Sequence, residues 1–278
     1  MKWPKNILMV NPVGFEVKYA INPHMLDASG NLNKVNKSLA LEQWTALKNT
    51  FESIGSKVHV IEGQEDLPDM VFTANQTLPF FNNGKTQFVL SKMNSKERQP
   101  EVQFFKDWAL ENNIETYSLN TKDSIEGMGD ILWNYESEEL FGGYGFRTSL
   151  NVYDELDKLI SSPIHKLKLV SEEFYHLDTC LAIASKDTAF AVKEGFDEAS
   201  FELLKTKFSN LIEIPLDEAK NGFAANLCCV NGKDIVIQKG NTFTATKAVD
   251  AGFVVHEIDT SEFMKSGGSV FCMKQLFW

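Results

Sequence analysis

The sequence is poor in cysteine, carries no concentrated positive charge, and has no apolar run long enough to span a membrane. Each shortage removes a class of protein. The four cysteines, Cys180, Cys228, Cys229 and Cys272, are too few and too irregularly spaced for a disulfide framework, and no pair has zinc-knuckle spacing. Each is read as a free thiol, which is ordinarily a small buried hydrophobe. No basic block occurs, and the formal net charge of −11 sets the chain against phosphate, so neither nucleic acid nor an anionic membrane is expected as a partner. Small cations are the more natural guests. The apolar run ending at Val10 falls far short of the roughly 20 residues of a membrane helix, and the N-terminus has no signal-peptide core, so a cytoplasmic location is expected. A Pro/Gly/Ser-rich or highly charged linker is also missing, which favours one α/β domain over residues 1–278. A chain of 278 residues buries roughly three quarters of its unfolded surface and supports its own core.

What is present is a succession of short β-type runs, at 7–10, 58–61, 70–73, 88–91, 131–135, 181–185, 188–192, 227–230 and 235–238, with a weaker apolar pair at Leu140 and Phe141. Helical patterns lie between them. The clearest puts Trp44, Leu47, Phe51 and Ile54 on one face and stops at Gly55, and a second runs through Val102, Phe105 and Trp108. Others cover 152–160, 198–208 with Phe201, Leu204 and Phe208 inward, and 244–251. Asparagine and glycine at 82–84 and 231–233 suit hairpin turns because both accept positive φ. The result is a strand-strand-helix rhythm, and periodicity alone leaves a sandwich, a layered sheet and a ring equally open.

Several segments hold residues able to do chemistry. Two glycines precede Cys272 in Ser266-Gly267-Gly268-Ser269-Val270-Phe271-Cys272, where the backbone can approach a ligand closely; the plain alternative is a turn into a last strand with a buried thiol. His176 and Asp178 lie two apart in Phe174-Tyr175-His176-Leu177-Asp178-Thr179, and an extended strand would point both to one side. An imidazole beside a carboxylate can bind a cation and move a proton, although a lone histidine is more often structural. His24, His59, His165 and His256 have no comparable surroundings. Glu126-Gly127-Met128-Gly129-Asp130 brings two acids around two glycines, and Asp69 and Asn75 bracket the apolar run at 70–73. Arg98 and Arg147 are ordinarily solvated, but Arg147 follows a glycine-rich stretch and could clamp a carboxylate through two hydrogen bonds.

Taken in order, an acidic glycine turn ending in Asp130, then His176-Leu177-Asp178-Thr179, then a glycine run leading to Cys272 resemble the guanidine-modifying superfamily. Its members are arginine deiminases, dimethylarginine dimethylaminohydrolases, amidinotransferases and arginine dihydrolases. The resemblance covers most of the chain, and Asn11-Pro12 with Tyr19-Ala20-Ile21-Asn22-Pro23-His24-Met25 resembles the opening of the arginine dihydrolase branch. It implies a five-bladed α/β propeller, or pentein, of repeated ββαβ units about a pseudo-fivefold axis. It further implies Cys272 as nucleophile, His176 as general acid/base, and Glu126 and Asp178 as carboxylates gripping guanidinium nitrogens. Asp69, Asp130 and Asn22 would line the substrate, with Arg98 and Arg147 holding its α-carboxylate. The sequence departs from many members in having Met128 between the glycines, and from the deiminases and dimethylargininases in having Asn75 where they carry aspartate. Asn75 turns the resemblance toward the dihydrolases, which convert arginine to ornithine, carbon dioxide and ammonia.

Alternatives implied by the same resemblance are a deiminase or dimethylarginine hydrolase that stops at citrulline, an amidinotransferase, and an inactive relative that binds arginine or citrulline. The expected partner is a small guanidino compound. No metal and no organic cofactor is called for, since nucleophile and acid/base are both side chains. The oligomeric state, a homo-oligomer included, is not legible.

Overall fold

The computed structural model describes residues 3–82 and 84–278. Each strand pair is followed by a helix and a third strand, and the N-terminal part starts inside such a unit. β1 (Asn6–Val10) leads through α1 (Lys37–Ser53) to β2 (Lys57–Ile61). The α1 helix begins where the Asn36 side chain accepts a hydrogen bond from the Leu39 N–H, and it buries Ala40, Trp44, Leu47 and Phe51. Each of its three large apolar side chains contributes roughly 2–3 kcal/mol of burial.

The next unit is β3 (Thr77–Asn82), β4 (Lys85–Leu90), α2 (Glu101–Glu111) and β5 (Glu115–Ser118). Then follow α3 (Gly127–Asp130), β6 (Ile131–Asn134), β7 (Glu139–Tyr144), α4 (Tyr153–Leu159) and β8 (Ile164–Lys168). The fourth unit is β9 (Leu181–Ile183), β10 (Thr188–Ala191), α5 (Glu198–Lys207) and β11 (Asn210–Glu213). After α6 (Leu216–Gly222) come β12 (Cys228–Cys229), β13 (Asp234–Gln238), α7 (Thr242–Asp250) and β14 (Val254–Ile258). The chain ends with α8 (Ser261–Met264) and β15 (Gln275–Phe277).

These strands form five three-stranded sheets of one pattern, in which the first strand is antiparallel to the second and the second is parallel to the third. The helix between second and third strands makes the parallel crossover. The sheet containing the N-terminus is completed from the other end of the chain: β15 pairs with β1, Leu276 opposite Ile7. The protein is thus a mixed α/β fold built from small sheets.

Most of the short strands expected from apolar runs are found. The edge strands β5, β8, β11 and β14 escaped notice because they are half-exposed and mix charged with apolar residues. In the hairpin at 82–84, Asn82 lies opposite Lys85, while Asn83 lies outside the described residues. Two expectations are corrected. The run at 70–73 is not a strand: Pro68–Val71 is a 3₁₀ turn closed by the Phe72 N–H to Asp69 O hydrogen bond, with Pro68 setting the first φ. Its apolar residues are buried by tertiary packing without any strand partner. Nor do His176 and Asp178 share a strand. Leu177–Thr179 is a 3₁₀ turn, since the Leu177 N–H is taken by Asp130 Oδ1 and the Thr179 N–H by His176 O.

Candidate active site

Buried polar side chains gather where each unit hands over to the next. The segment before β3 carries Asp69 and Asn75, the segment before β6 Glu126 and Asp130, and the segment before β9 His176 and Asp178. That before β12 carries Asn226, and that before β15 carries Cys272. Five stretches far apart in sequence meet in this way.

Together they surround a narrow cavity, onto which Cys272, His176, Asn75, Asp69, Asn22, Arg98 and Arg147 all open. Cys272 is only 4% exposed, but its surroundings are polar. Its Sγ donates to Asp178 Oδ2 at 3.1 Å and accepts from Asn226 Nδ2 at 3.2 Å. Asn226 Oδ1 also accepts the backbone N–H groups of Ser269 and Cys272, and Asn226 Nδ2 donates to Asp178 O. Burial, then the charge of Asp178 and the hydrogen bond to it, push the thiol well above its usual range. The same burial raises Asp178 to about 7, against the opposing pull of Cys272, Lys274, Asn226 and Arg98. Without a bound cation, thiol and carboxylate therefore compete for one proton.

Opposite stands an imidazole and carboxylate pair. His176 Nε2 donates to Glu126 Oε2 at 2.6 Å, and Glu126 Oε1 accepts the Asn94 N–H. Burial alone would raise Glu126, but the His176 hydrogen bond and charge, followed by Arg147 and Arg98, outweigh it and hold the carboxyl at about 2. Arg147 approaches Glu126 Oε2 at 3.6 Å, donates to Ile21 O at 2.6 Å, and lies over the Tyr175 ring.

The expected site residues do not all hold equivalent positions. Glu126, Asp130 and Asp178 are fully buried behind the residues that open on the cavity. Asp130 ties α3 to the His176 segment through Leu177, and burial raises its carboxyl to about 6, with His176 and Thr148 opposing and Glu126 assisting. Asn22 donates to Ser266 O and accepts the His24 N–H. Asp69 Oδ1 accepts from Ser266, and burial raises this carboxyl although Arg98, Tyr19 and Ser266 pull it down. Neither arginine is solvated, because tertiary partners replace water. Arg98 is 3% exposed and is engaged by Glu101, Asp69 O and Asn75 Oδ1, the last at 2.8 Å.

That contact decides the direction of the Asn75 amide. With Oδ1 facing Arg98, Nδ2 faces the other way, buried and without a hydrogen-bond partner. Gly129 makes room for it, since a Cβ there would collide with Asn75 Nδ2. Gly267 sits at φ +88° with Asn22 and Tyr175 pressed against it, a conformation and a gap that suit glycine.

Sequence reasoning missed Asn226. Its signal is an internal repeat: Phe72-Thr73-Ala74-Asn75 and Phe223-Ala224-Ala225-Asn226 both place asparagine two residues before the first strand of a unit. A wider groove lined by Lys92, Asn94, Lys122 and Asp123 shares no lining residue with this cavity and has no cysteine or histidine in its wall. Among the described residues, no group of three or more His, Cys, Asp or Glu side chains is arranged to hold a metal.

The family described as N,N dimethylarginine dimethylhydrolase, eukaryotic, matches residues 11–276. This chain belongs to that family. It is 36% identical over 270 residues to the bifunctional arginine dihydrolase/ornithine cyclodeaminase ArgZ of Synechocystis sp., covering 96% of the chain but 37% of ArgZ. It is 32% identical to the N(G),N(G)-dimethylarginine dimethylaminohydrolase of Mycobacterium tuberculosis, covering 95% of this chain and 83% of that one. The chain thus spans well under half of ArgZ and most of the mycobacterial enzyme. The N-terminal domain of cyanobacterial ArgZ, solved as a cysteine-to-serine mutant bound to substrate, superposes with a TM-score of 0.90 at 33% identity. That likeness covers 98% of this chain and 97% of that domain. These relatives place the chain in the guanidine-modifying superfamily. Among the described residues no helix is long and apolar enough to cross a membrane.

Proposed function

We propose that this chain is a cysteine hydrolase acting on the guanidinium of arginine or a close derivative, and that it carries arginine through to ornithine. The observation that carries the reading is the shared cavity. One thiol, one imidazole paired with a carboxylate, and one amide with an unused N–H₂ open on it from separate units. We further propose that the five sheets are blades of a propeller closed about a pseudo-fivefold axis. β6, β9 and β12 pack against one another in order and β3 packs against β15, which supports the closure. Residues 1–278 then form one catalytic domain.

A guanidinium is a resonance-stabilised, poor electrophile, so it calls for a soft nucleophile and a rigid hold. The arriving cation favours the Cys272 thiolate, and Asp178 and Glu126 balance its charge from behind the cavity wall. The thiolate adds to the central carbon, forming a C–S bond. His176 delivers a proton to the departing nitrogen, the C–N bond breaks, and ammonia leaves. With Nε2 tied to Glu126, Nδ1 is the nitrogen left to exchange that proton. His176 then takes a proton from water, which attacks the S-alkylthiouronium carbon, breaks the C–S bond and yields citrulline. A second cycle on the ureido carbon releases ammonia and a carbamate that breaks down to ornithine and carbon dioxide. Over both cycles arginine and two waters give ornithine, carbon dioxide and two ammonia molecules. A cysteine-to-serine ArgZ domain bound to substrate and an asparagine-to-serine ArgZ domain covalently bound to a reaction intermediate support this route by analogy.

A second reading is dimethylarginine hydrolysis ending at citrulline, favoured by the matched family and by the mycobacterial relative. Incubation with arginine, citrulline, methylated arginines and succinylarginine, with ammonia, citrulline and ornithine resolved chromatographically, separates the two. Ornithine from arginine supports the first reading. Citrulline as the sole product from every substrate overturns it.

A further inference from the structure

Two residues beyond the thiol lies a group that the chemistry above does not use. Lys274 is fully buried, and its Nζ has no hydrogen-bond partner. The ammonium sits over the Phe271 ring, 3.0 Å from its centroid, outside the residues that open on the cavity. An unpaired buried ammonium costs more than a cation–π contact returns. Something else in its surroundings must favour it. The titratable groups whose charge acts on it are Cys228 from β12, Asp178 from the His176 segment, and Cys272 from its own. Asp178 Oδ1 is likewise buried without a hydrogen-bond partner, while its Oδ2 accepts from the Cys272 thiol. A buried cationic donor outside the cavity lining and a buried anionic acceptor hydrogen-bonded to the thiol, each incomplete, therefore act on one another through their charges.

We propose that Lys274 is a positioning residue, the built-in counter-cation of the Cys272–Asp178 pair, which holds that pair at one negative charge so that thiolate is available for attack. The inference rests on Cys272 being the nucleophile. Thiol and carboxylate lie 3.1 Å apart and titrate as a unit, so the cation stabilises the single negative charge wherever the shared proton sits. Burial lowers Lys274 to about 8 while Cys228, Asp178 and Cys272 pull it up, which leaves it mainly protonated at neutral pH. Cys228 is raised by burial and lowered by Lys274, and it lies at a contact that the substrate does not reach. During attack the guanidinium occupies the cavity, and Lys274, which does not line it, stays in the buried interior. When the thiolate attacks and its charge is spent in the C–S bond, the shared proton stays on Asp178, and when the C–S bond later breaks Lys274 again stabilises the negative charge returned to the pair.

The test is the pH dependence of Cys272 alkylation by iodoacetamide, mapped by mass spectrometry in the full chain and in Lys274→Met, with thermal unfolding followed in parallel. The methionine variant keeps the stem volume and removes a buried charge, so its melting temperature should equal or exceed the parent's. Its alkylation profile should move up by about one pH unit, lowering the rate near neutrality about tenfold. Turnover of the guanidino substrate should lose kcat to a similar degree with KM little changed. If the methionine variant does not fold, Lys274→Gln gives the same readout. Superimposable pH profiles in a folded neutral variant overturn the role of Lys274. Failure of the underlying reading looks different: complete alkylation of Cys272 in the unsubstituted chain would then leave turnover intact.

Discussion

Replacing Asn75 by aspartate tests the substrate assignment most sharply. Arg98 Nη1 lies 2.8 Å from Asn75 Oδ1, so Asn75→Asp keeps one oxygen in place and converts the unpartnered Nδ2, a donor, into a second acceptor. The first cycle acts on a cation, which a carboxylate at position 75 tolerates or assists. The second cycle acts on a neutral ureido group whose oxygen becomes negative on attack, and there the variant offers repulsion instead of a hydrogen bond. Removing a donor to such an oxygen costs about 2.7–4 kcal/mol of transition-state stabilisation, or roughly 10²–10³ in rate. Citrulline should therefore leave the variant before it is turned over. The assay is chromatography of citrulline and ornithine during arginine turnover at neutral pH, with arginine consumption within about tenfold of the parent. Ornithine as the unchanged main product of the variant would refute the reasoning.

Three further outcomes follow from the same geometry. Cys272→Ser should abolish turnover while melting within a few degrees of the parent, and a rate near that of the parent would rule out the nucleophile. Glu126→Gln removes a carboxylate held at about 2 instead of the usual 4.5, a difference on the order of 3 kcal/mol in the folded state. Because that carboxyl is depressed on folding, its contribution is complete above pH 4.5 and fades toward pH 2. Urea denaturation should accordingly show the parent and Glu126→Gln converging as pH falls through that window, and a constant gap would contradict the charge argument. Gly129→Ala places a methyl group against Asn75 Nδ2 and should cost about 1–3 kcal/mol in stability with a larger proportional loss of activity; full activity would show that the amide need not sit there.

Local pattern marked the candidate residues only weakly: Glu126, His176, Asp178, Cys272 and Asn75 stood out as residue types, and only the resemblance of their order to a family joined them into one proposed site. Local apolar runs and helical faces also marked most inner strands and helices, because a buried strand or amphipathic helix writes its own periodicity. The β5, β8, β11 and β14 edges left no such mark, since half-exposed strands do not need an apolar run. Tertiary packing alone decided the rest. It turned 68–71 and 177–179 into 3₁₀ turns by giving their backbone groups non-strand partners, and it buried Arg98 and Arg147 by supplying Glu101, Asn75, Glu126 and Ile21 O in place of water. It also joined β15 to β1 and brought Asn226 to the thiol. The physical reason is range: side-chain periodicity is felt over a few residues, whereas desolvation and charge depend on what distant segments bring to the same volume.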